Sequence, residues 1–468
     1  MVSVSKNGGT IPKAVKRAPK SKPKFTFIDL FAGIGGFHAA LHGMGGECVY
    51  AVEIDPAASS VYELNWGINP LGDITDVANE DEVTVPEHDV LVAGFPCQPF
   101  SKSGHQRGME ETRGTLYWNI LRIIEARRPA LVLLENVRNL AGPRHAHEWA
   151  VIIKTLREQG YKVADTPAVF SPHLLPPQLG GRPQVRERVF IAAVRADGLS
   201  SEELIEHEPV VSNRSPENWD PQKWNLARDL PLQRGKDAAR FALNETETHW
   251  IDAWDDFVVG MWEERDGERL PGHPIWGDDW VLTKDLRIPS GTPDWKANFL
   301  RKNAEFYTRH QEFLDDWAAR WDFYSDKFPP SRRKFEWQAQ DTPSLWETVM
   351  HFRPSGIRAK KPTYLPALVA ITQTSIIGSR KRRLSTREAA RLQGLPDDFV
   401  FGDQPDSATY KQLGNGVCVG AVWHVVRSAV DRYQSILKTS APGLVKAVKS
   451  APDDPTVAIK TIAIQGTN

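Results

Sequence analysis

Four times in its first 136 residues the chain builds a short apolar run and then stops it at a glycine or a charged side chain. The runs are Phe25-Thr26-Phe27-Ile28-Asp29-Leu30-Phe31 before Ala32-Gly33, Cys48-Val49-Tyr50-Ala51-Val52 before Glu53, Val90-Leu91-Val92-Ala93 before Gly94, and Leu131-Val132-Leu133-Leu134 before Glu135. Short apolar runs bounded by such breaks read as buried strands. Strands of that kind build an α/β sheet, and in open α/β sheets ligands and reacting groups gather beyond the carboxyl ends of the strands. The polar residues at these four ends are therefore the first place to look for chemistry.

The third end is the most informative. Gly94-Phe95-Pro96-Cys97-Gln98-Pro99-Phe100-Ser101 puts a thiol just past a strand, between two prolines that each fix a backbone dihedral. That is a shaped turn presenting sulfur, where a packing cysteine would sit among apolar neighbours. Ser101 to Gly108 continues as a polar, glycine-punctuated loop with Lys102 and Arg107, which reads as a lid over a polyanion. At the fourth end, Glu135 lies beside an apolar floor. Desolvation there favours its neutral form, so it can serve as an acid near neutral pH. Gln184-Val185-Arg186-Glu187-Arg188 alternates before another apolar run, so Arg186 and Arg188 are expected on one face, able to orient Glu135 and to bind a carbonyl or phosphate.

At the first end, Ala32-Gly33-Ile34-Gly35-Gly36 is a tight turn into a helix, where glycines let backbone approach a ligand. The spacing is not Gly-x-Gly-x-x-Gly, which disfavours a dinucleotide. Glu53 follows the glycines by about twenty positions, the placement of a carboxylate that accepts hydrogen bonds from ribose hydroxyls. Asp73 adds another carboxylate near the same edge.

These residues, in this order, resemble the motifs of the DNA cytosine-5 methyltransferases, prokaryotic restriction-modification type. The resemblance spans about residues 25–194 and 384–429. It implies a Rossmann-like α/β domain dependent on S-adenosylmethionine, interrupted by a target recognition domain. By the same resemblance Cys97 is the nucleophile and Glu135 the acid, with Arg186 and Arg188 beside them. Phe31, Gly33, Gly35, Glu53, Ile54, Asp73, Ile74, Pro96, Leu116 and Asn415 line the cofactor pocket. Ile54 departs from an aromatic residue common in the family, which replaces stacking on adenine by aliphatic contact. Ser103 and Gln106 approach the DNA minor groove.

From about residue 197 the pattern changes, and 12 of the 16 tryptophans fall between Trp219 and Trp346. A long insertion of different composition implies a second domain. Residues from Asn303 to Phe328 read as amphipathic helix. Arg353, Arg358, Lys360, Lys361 and Arg380-Lys381-Arg382-Arg383 are candidates for phosphate and base contacts, with Arg358 and Lys360 foremost. Leu384-Ser385-Thr386-Arg387-Glu388 opens a capped helix that stops at Gly394. The expected divisions are a disordered basic arm (1–24), the first part of the catalytic domain (25–196), the recognition domain (197–383), the returning catalytic part (384–435) and a flexible tail (436–468).

Composition sets bounds on partners. The net charge is −1, so nucleic acid must be met by local patches. Cys48, Cys97 and Cys418 are the three cysteines, too few for a disulfide framework or a zinc cluster, so no metal is expected and a reducing bacterial cytoplasm fits. No apolar run is long enough for a membrane span. The expected partners are double-stranded DNA and, functionally, a restriction endonuclease, with the protein itself a monomer. An RNA cytosine-5 methyltransferase would share the catalytic residues but has a smaller recognition region. A non-catalytic DNA-binding paralogue would lack the Pro-Cys pair or the glutamate.

Overall fold

The computed structural model describes residues 24–96, 115–369 and 374–461. Strands β1 (Phe25–Leu30), β2 (Gly46–Val52), β3 (Val90–Gly94) and β4 (Leu131–Val137) are parallel, in the spatial order β2-β1-β3-β4. The sheet continues through antiparallel pairing with a later strand. Here β5 (Tyr161–Ala164), β6 (Ala168–Phe170), β7 (Gln184–Val185), β8 (Arg188–Arg195) and β9 (Ile205–Glu206) follow, with β8 beside β4, β5 beside β8, β9 beside β5, and β6 also on β8. The parallel strands are joined through helices α1 (Gly36–Gly43), α2 (Pro56–Trp66), α3 (Ile74–Val77) and α4 (Leu116–Arg127), and α5 (Ala146–Glu158) links β4 to β5.

Local chemistry starts these helices where the sequence changes character. Asp55 caps α2 by accepting from Ala57 N and Ala58 N, with Pro56 at the first helical position, and Thr115 caps α4 through Trp118 N. Side chains alternate across the strands into two cores. Phe27, Val90, Val92, Leu131 and Leu133 face one side, while Ile28, Leu91, Ala93, Val132 and Leu134 face α4 and α5 on the other. Both faces are covered, which is why these strands read as continuous apolar runs.

The second body has its own aromatic core. Helices α6 (Glu245–Glu264), α7 (Asp294–Arg309) and α8 (Gln311–Arg320) pack with a sheet of β10 (Ile275–Trp276), β11 (Lys334–Gln338), β12 (Val349–Arg353), β13 (Gly356–Lys360), β15 (Ile376–Ile377) and β16 (Arg382–Arg383). Its order is β10-β11-β13-β12-β15-β16, and the intervening β14 (Leu365–Pro366) pairs instead with β7 of the first body. Trp254 stacks on Phe335 at 4.6 Å and touches Trp317 and Phe323, so the tryptophan cluster is mainly core.

Three expectations change. The insertion does not leave the first body at 197: Val211, Leu226, Leu230 and Phe241 pack into the first body's core, and the aromatic core begins near Leu243. The expected helix from Asn303 to Phe328 is two helices, because the chain turns at His310, whose ring meets Glu264 at 3.0 Å. The segment 436–468 is not a loose tail over its described part. After α9 (Thr386–Leu392), α10 (Asp406–Asn415) and α11 (Val419–Arg432), helices α12 (Gln434–Ser440) and α13 (Pro442–Ser450) bury Leu437, Leu444, Val445 and Val448 in the first core. Pro442 starts α13, where its missing N–H is harmless, and Gly443 admits the Lys24 carbonyl at a distance no Cβ would tolerate. No helix among the described residues is long and apolar enough to cross a membrane.

Candidate active site

Parallel pairing of β3 and β4 brings Gly94 opposite Glu135, so two of the four polar strand ends are neighbours in register. Glu135 is 9% exposed and its Oε1 receives Arg188 Nε at 3.0 Å, from the first residue of antiparallel β8. Burial raises the Glu135 carboxyl above the usual range, against the lowering effect of Arg188 and Arg186. An ion pair by itself would suggest a firm carboxylate. Desolvation outweighs it here, and the second oxygen, Oε2, lies on the Gly94 side. Asn136, next in sequence, donates from Nδ2 to Phe95 O at 2.8 Å, while its Oδ1 accepts from Val137 N. It thus ties the end of β4 to the turn that leads through Pro96 toward the thiol. The sequence gives no sign of this bond, because the partner of Asn136 lies 41 residues away and leaves no local signature.

The turn after β1 forms the other wall. Phe31 takes a left-handed backbone conformation, with φ of 56°, a sparsely populated region for a bulky residue that is characteristic of functional turns. Gly33 N donates to Glu53 Oε2 and Asp55 N to Glu53 Oε1, both at 2.8 Å. A carboxylate has about four lone-pair sites, so two remain for hydroxyl donors. The residues present therefore fit a ribose-bearing ligand. A cavity of about 610 Å³ joins both walls and is lined by Phe31, Gly33, Glu53, Pro96, Glu135, Arg188 and Asn415 among others.

Other expected pocket residues stand elsewhere. Gly35, at φ of 89°, faces Trp66: an added Cβ would fall 2.1 Å from the indole nitrogen, so this glycine serves packing beneath the turn. Ile54 is exposed and Ile74 is buried in core, and neither lines the cavity. Asp73 Oδ1 caps α3 through Thr75, and Leu116 begins α4, half-buried against the core. Lys411, which had no sequence signal, lines the cavity from α10 and meets Asp55 Oδ2 at 3.3 Å.

Arg186 does not join Arg188 in holding Glu135 directly, as the alternation implied, although its charge still acts on that carboxyl. The chain breaks between β7 and β8, and the Arg186 side chain turns inward, 1% exposed, to donate to Leu368 O, Gly414 O and Gly416 O. Without a carboxylate partner among the described residues, it is stabilised by carbonyls at the C-terminal end of α10, where the helix dipole is negative. Burial still lowers it to about 9.

In the second body, Arg358 pairs with Glu336 at 2.6 Å, and Lys360 lies on the same sheet face. Arg382 forms a two-pronged bond with Glu388, Lys361 meets Asp341, and Arg383 meets Glu247, so part of the basic cluster is structural. Cys97, Ser103 and Gln106 lie outside the described residues.

A family model described as C-5 cytosine-specific DNA methylase matches residues 25–430. The type II methyltransferase M.AluI of Cellulosimicrobium cellulans is 49% identical over 513 residues, covering 94% of this chain and 98% of that protein. The type II methyltransferase M1.ScrFI of Lactococcus lactis subsp. cremoris is 39% identical over 441 residues, covering 91% and 86%. The type II methyltransferase M.HhaI of Haemophilus parahaemolyticus is 46% identical over 171 residues, a stretch that spans 36% of this chain and 49% of that protein. With the motif order, the strand-end cavity and this match in hand, the chain belongs to the C-5 cytosine-specific DNA methylases.

Proposed function

We propose that this protein is a type II methyltransferase that modifies C5 of cytosine at one short sequence in duplex DNA and thereby shields that DNA from a companion restriction endonuclease, working as a monomer. The observation that carries the chemistry is the buried Glu135 carboxyl at the end of β4, held by Arg188 on the wall of the cavity that also holds Gly33 and Glu53. A cytosine inside a duplex cannot present C6 to a side chain, so the base is extruded into this cavity.

Cys97, one residue past Pro96, adds to C6 as its thiolate. As sulfur bonds, negative charge builds toward N3, and the protonated Glu135 meets it there. Arg188 fixes the orientation of that carboxyl and offers its remaining donors to the base carbonyl. Arg186 acts through the backbone it holds, as a positioning residue. S-adenosylmethionine, the family's methyl donor, supplies an electrophilic methyl group when bound. Phe31, Gly33, Pro96 and Asn415 would hold it, with Glu53 accepting from its ribose hydroxyls. Asp73 retains Oδ2 for the adenine amino group, and the exposed Ile54 and half-buried Leu116 are the apolar candidates around that ring, with Ile74 supporting Asp73 from the core. After C5 is substituted, its proton leaves and the Cys97 sulfur is expelled, which restores the ring. Covalent addition splits one difficult substitution into easier steps.

Bisulfite sequencing of plasmid DNA from an expressing host identifies the modified cytosine, and resistance of that plasmid to a nuclease of the same specificity tests the protective role. A duplex carrying 5-fluorocytosine at that position is expected to give a denaturation-resistant adduct that maps to Cys97. Undiminished methylation by Cys97→Ala would falsify the nucleophile assignment.

A further inference from the structure

The turn that walls the cofactor cavity holds Phe31 in the left-handed region, at φ of 56°, and a bulky residue stays there only where its surroundings over-determine the backbone. Four hydrogen bonds do so. Ala32 N donates to Val52 O at 3.0 Å, Gly35 N to Ala32 O at 2.9 Å and Gly33 N to Glu53 Oε2 at 2.8 Å. The fourth comes from another element: Trp66, the last residue of α2 and 3% exposed, donates from Nε1 to Ile34 O at 3.1 Å. The indole leaves no room for a side chain at position 35, which is why that residue is glycine.

Trp66 is itself fixed by buried neighbours from separate parts of the chain. Its ring stacks on His38 of α1, with centroids 4.5 Å apart and planes inclined by 22°. His38 Nδ1 is in turn bonded to Tyr62 OH of α2 at 2.7 Å, and Phe399, from the returning part of the first body, meets the indole at 6.0 Å. Such ring pairs add stability beyond the area they bury. Neither Trp66 nor His38, Tyr62 or Phe399 lines the cavity.

We infer that Trp66 is a positioning residue for the methyl donor, holding the Phe31–Gly35 turn in its binding-ready shape through the bond to Ile34 O without touching the donor. The inference rests on the reading of the cavity as the S-adenosylmethionine site, and names what keeps that site formed before the donor arrives. Its consequence is kinetic. Without the indole N–H the strained turn relaxes in the free protein, so only a fraction of the molecules is ready to bind, and the apparent dissociation constant rises as the inverse of that fraction. The contacts made by the bound donor are unchanged, so the loss falls on association. A residue that touches the donor behaves in the opposite way, because a lost contact shows mostly as faster dissociation. Glu53 provides that comparison.

The test measures association and dissociation of S-adenosylhomocysteine with the full-length protein by stopped-flow fluorescence. Trp66→Phe keeps an aromatic ring against His38 and removes the donor to Ile34 O; affinity is expected to fall roughly tenfold through slower association, with dissociation at the wild-type rate. In steady state, KM for the methyl donor should rise by the same factor while kcat at saturating donor holds. Gly35→Ala, which drives a methyl group into the indole, should show the same slow association and guards against a Trp66→Phe protein that does not fold. Glu53→Gln should speed dissociation instead. If either folded variant binds with wild-type affinity, or if its loss appears as faster dissociation, the positioning role is overturned. A wild-type protein that binds no S-adenosylhomocysteine overturns the cofactor reading itself, and the role of Trp66 falls with it.

Discussion

In the eight-stranded sheet the polar residues stand at strand ends, where Glu53, Gly94 and Glu135 converge on one cavity; in the six-stranded sheet they stand on a face, along His351, Arg353, Arg358 and Lys360. Covered on both sides, the first sheet has no face to offer and must act at its edge. The second is covered on one side by Trp254, Phe257 and Trp317, and its other side carries this row of half-buried polar residues. The two sheets should then fail differently when damaged. Changes at the first sheet's edge should lower turnover with DNA binding intact, and changes in the second should loosen DNA or its own core with the catalytic cavity intact.

The largest effect belongs to Glu135. Glu135→Gln removes the proposed proton donor but keeps size and a hydrogen bond to Arg188, and kcat should fall roughly 10²–10⁴-fold with DNA affinity nearly unchanged. The pH profile gives the sign. Because burial raises this carboxyl, its protonated form persists toward neutrality, and turnover should decline as pH rises through the raised value; the Gln variant should lack that alkaline decline. A comparable loss of DNA affinity in Glu135→Gln would erase the distinction between edge and face.

Trp254 is fully buried among Phe257, Trp317 and Phe335, and Trp254→Ala should cost about 3–5 kcal/mol. The contrast predicts where that cost appears. Thermal unfolding followed by tryptophan fluorescence should show an early transition for the second body, while S-adenosylhomocysteine still binds the first body with wild-type affinity. Loss of that binding would mean that the two cores melt as one. The matching change in the first core is Leu444→Ala on α13, expected to cost roughly 2–5 kcal/mol and to lower the later transition instead.

What could be read in the chain beforehand follows the range of the interactions involved. Strands β1 to β4 and the cap at Ser385 are set by neighbours in sequence, and they appear where the apolar runs and the Ser-x-x-Glu spacing put them. Glu53 and Glu135 sit at strand ends for the same reason. Arg186 is different: its partners Leu368, Gly414 and Gly416 are 182 to 230 residues distant, and alternation alone could not show that its donors go to them and not to Glu135. Helix α13 was hidden because Pro442-Gly443 resembles a break, although the proline starts a helix and the glycine makes room for Lys24. On the second sheet, the basic residues were visible as a cluster, but which of them are already paired depends on Glu336, Asp341, Glu247 and Glu388, contributed from three other segments.

The smallest effect tests the junction between the two bodies. Ser385 Oγ accepts from Glu388 N while Glu388 Oε2 accepts from Ser385 N, closing a capping box at the start of α9. The same Glu388 holds Arg382 of β16 with both oxygens and also receives Gln233 N, so one carboxylate joins the end of the second sheet to the returning helix of the first body. Ser385→Ala removes only the hydroxyl and should cost about 1 kcal/mol, and Ser385→Gly only a few tenths. Glu388→Gln at the same junction leaves the buried Arg382 charge unpaired and should cost more, roughly 3–5 kcal/mol. In urea unfolding, Ser385→Ala should shift the midpoint without changing its slope and should move both transitions together, because the cap belongs to the element the two bodies share. A shift confined to the tryptophan-rich transition would place α9 with the second sheet, and the line between edge chemistry and face chemistry would then have to be drawn after Gly394 instead of before Ser385.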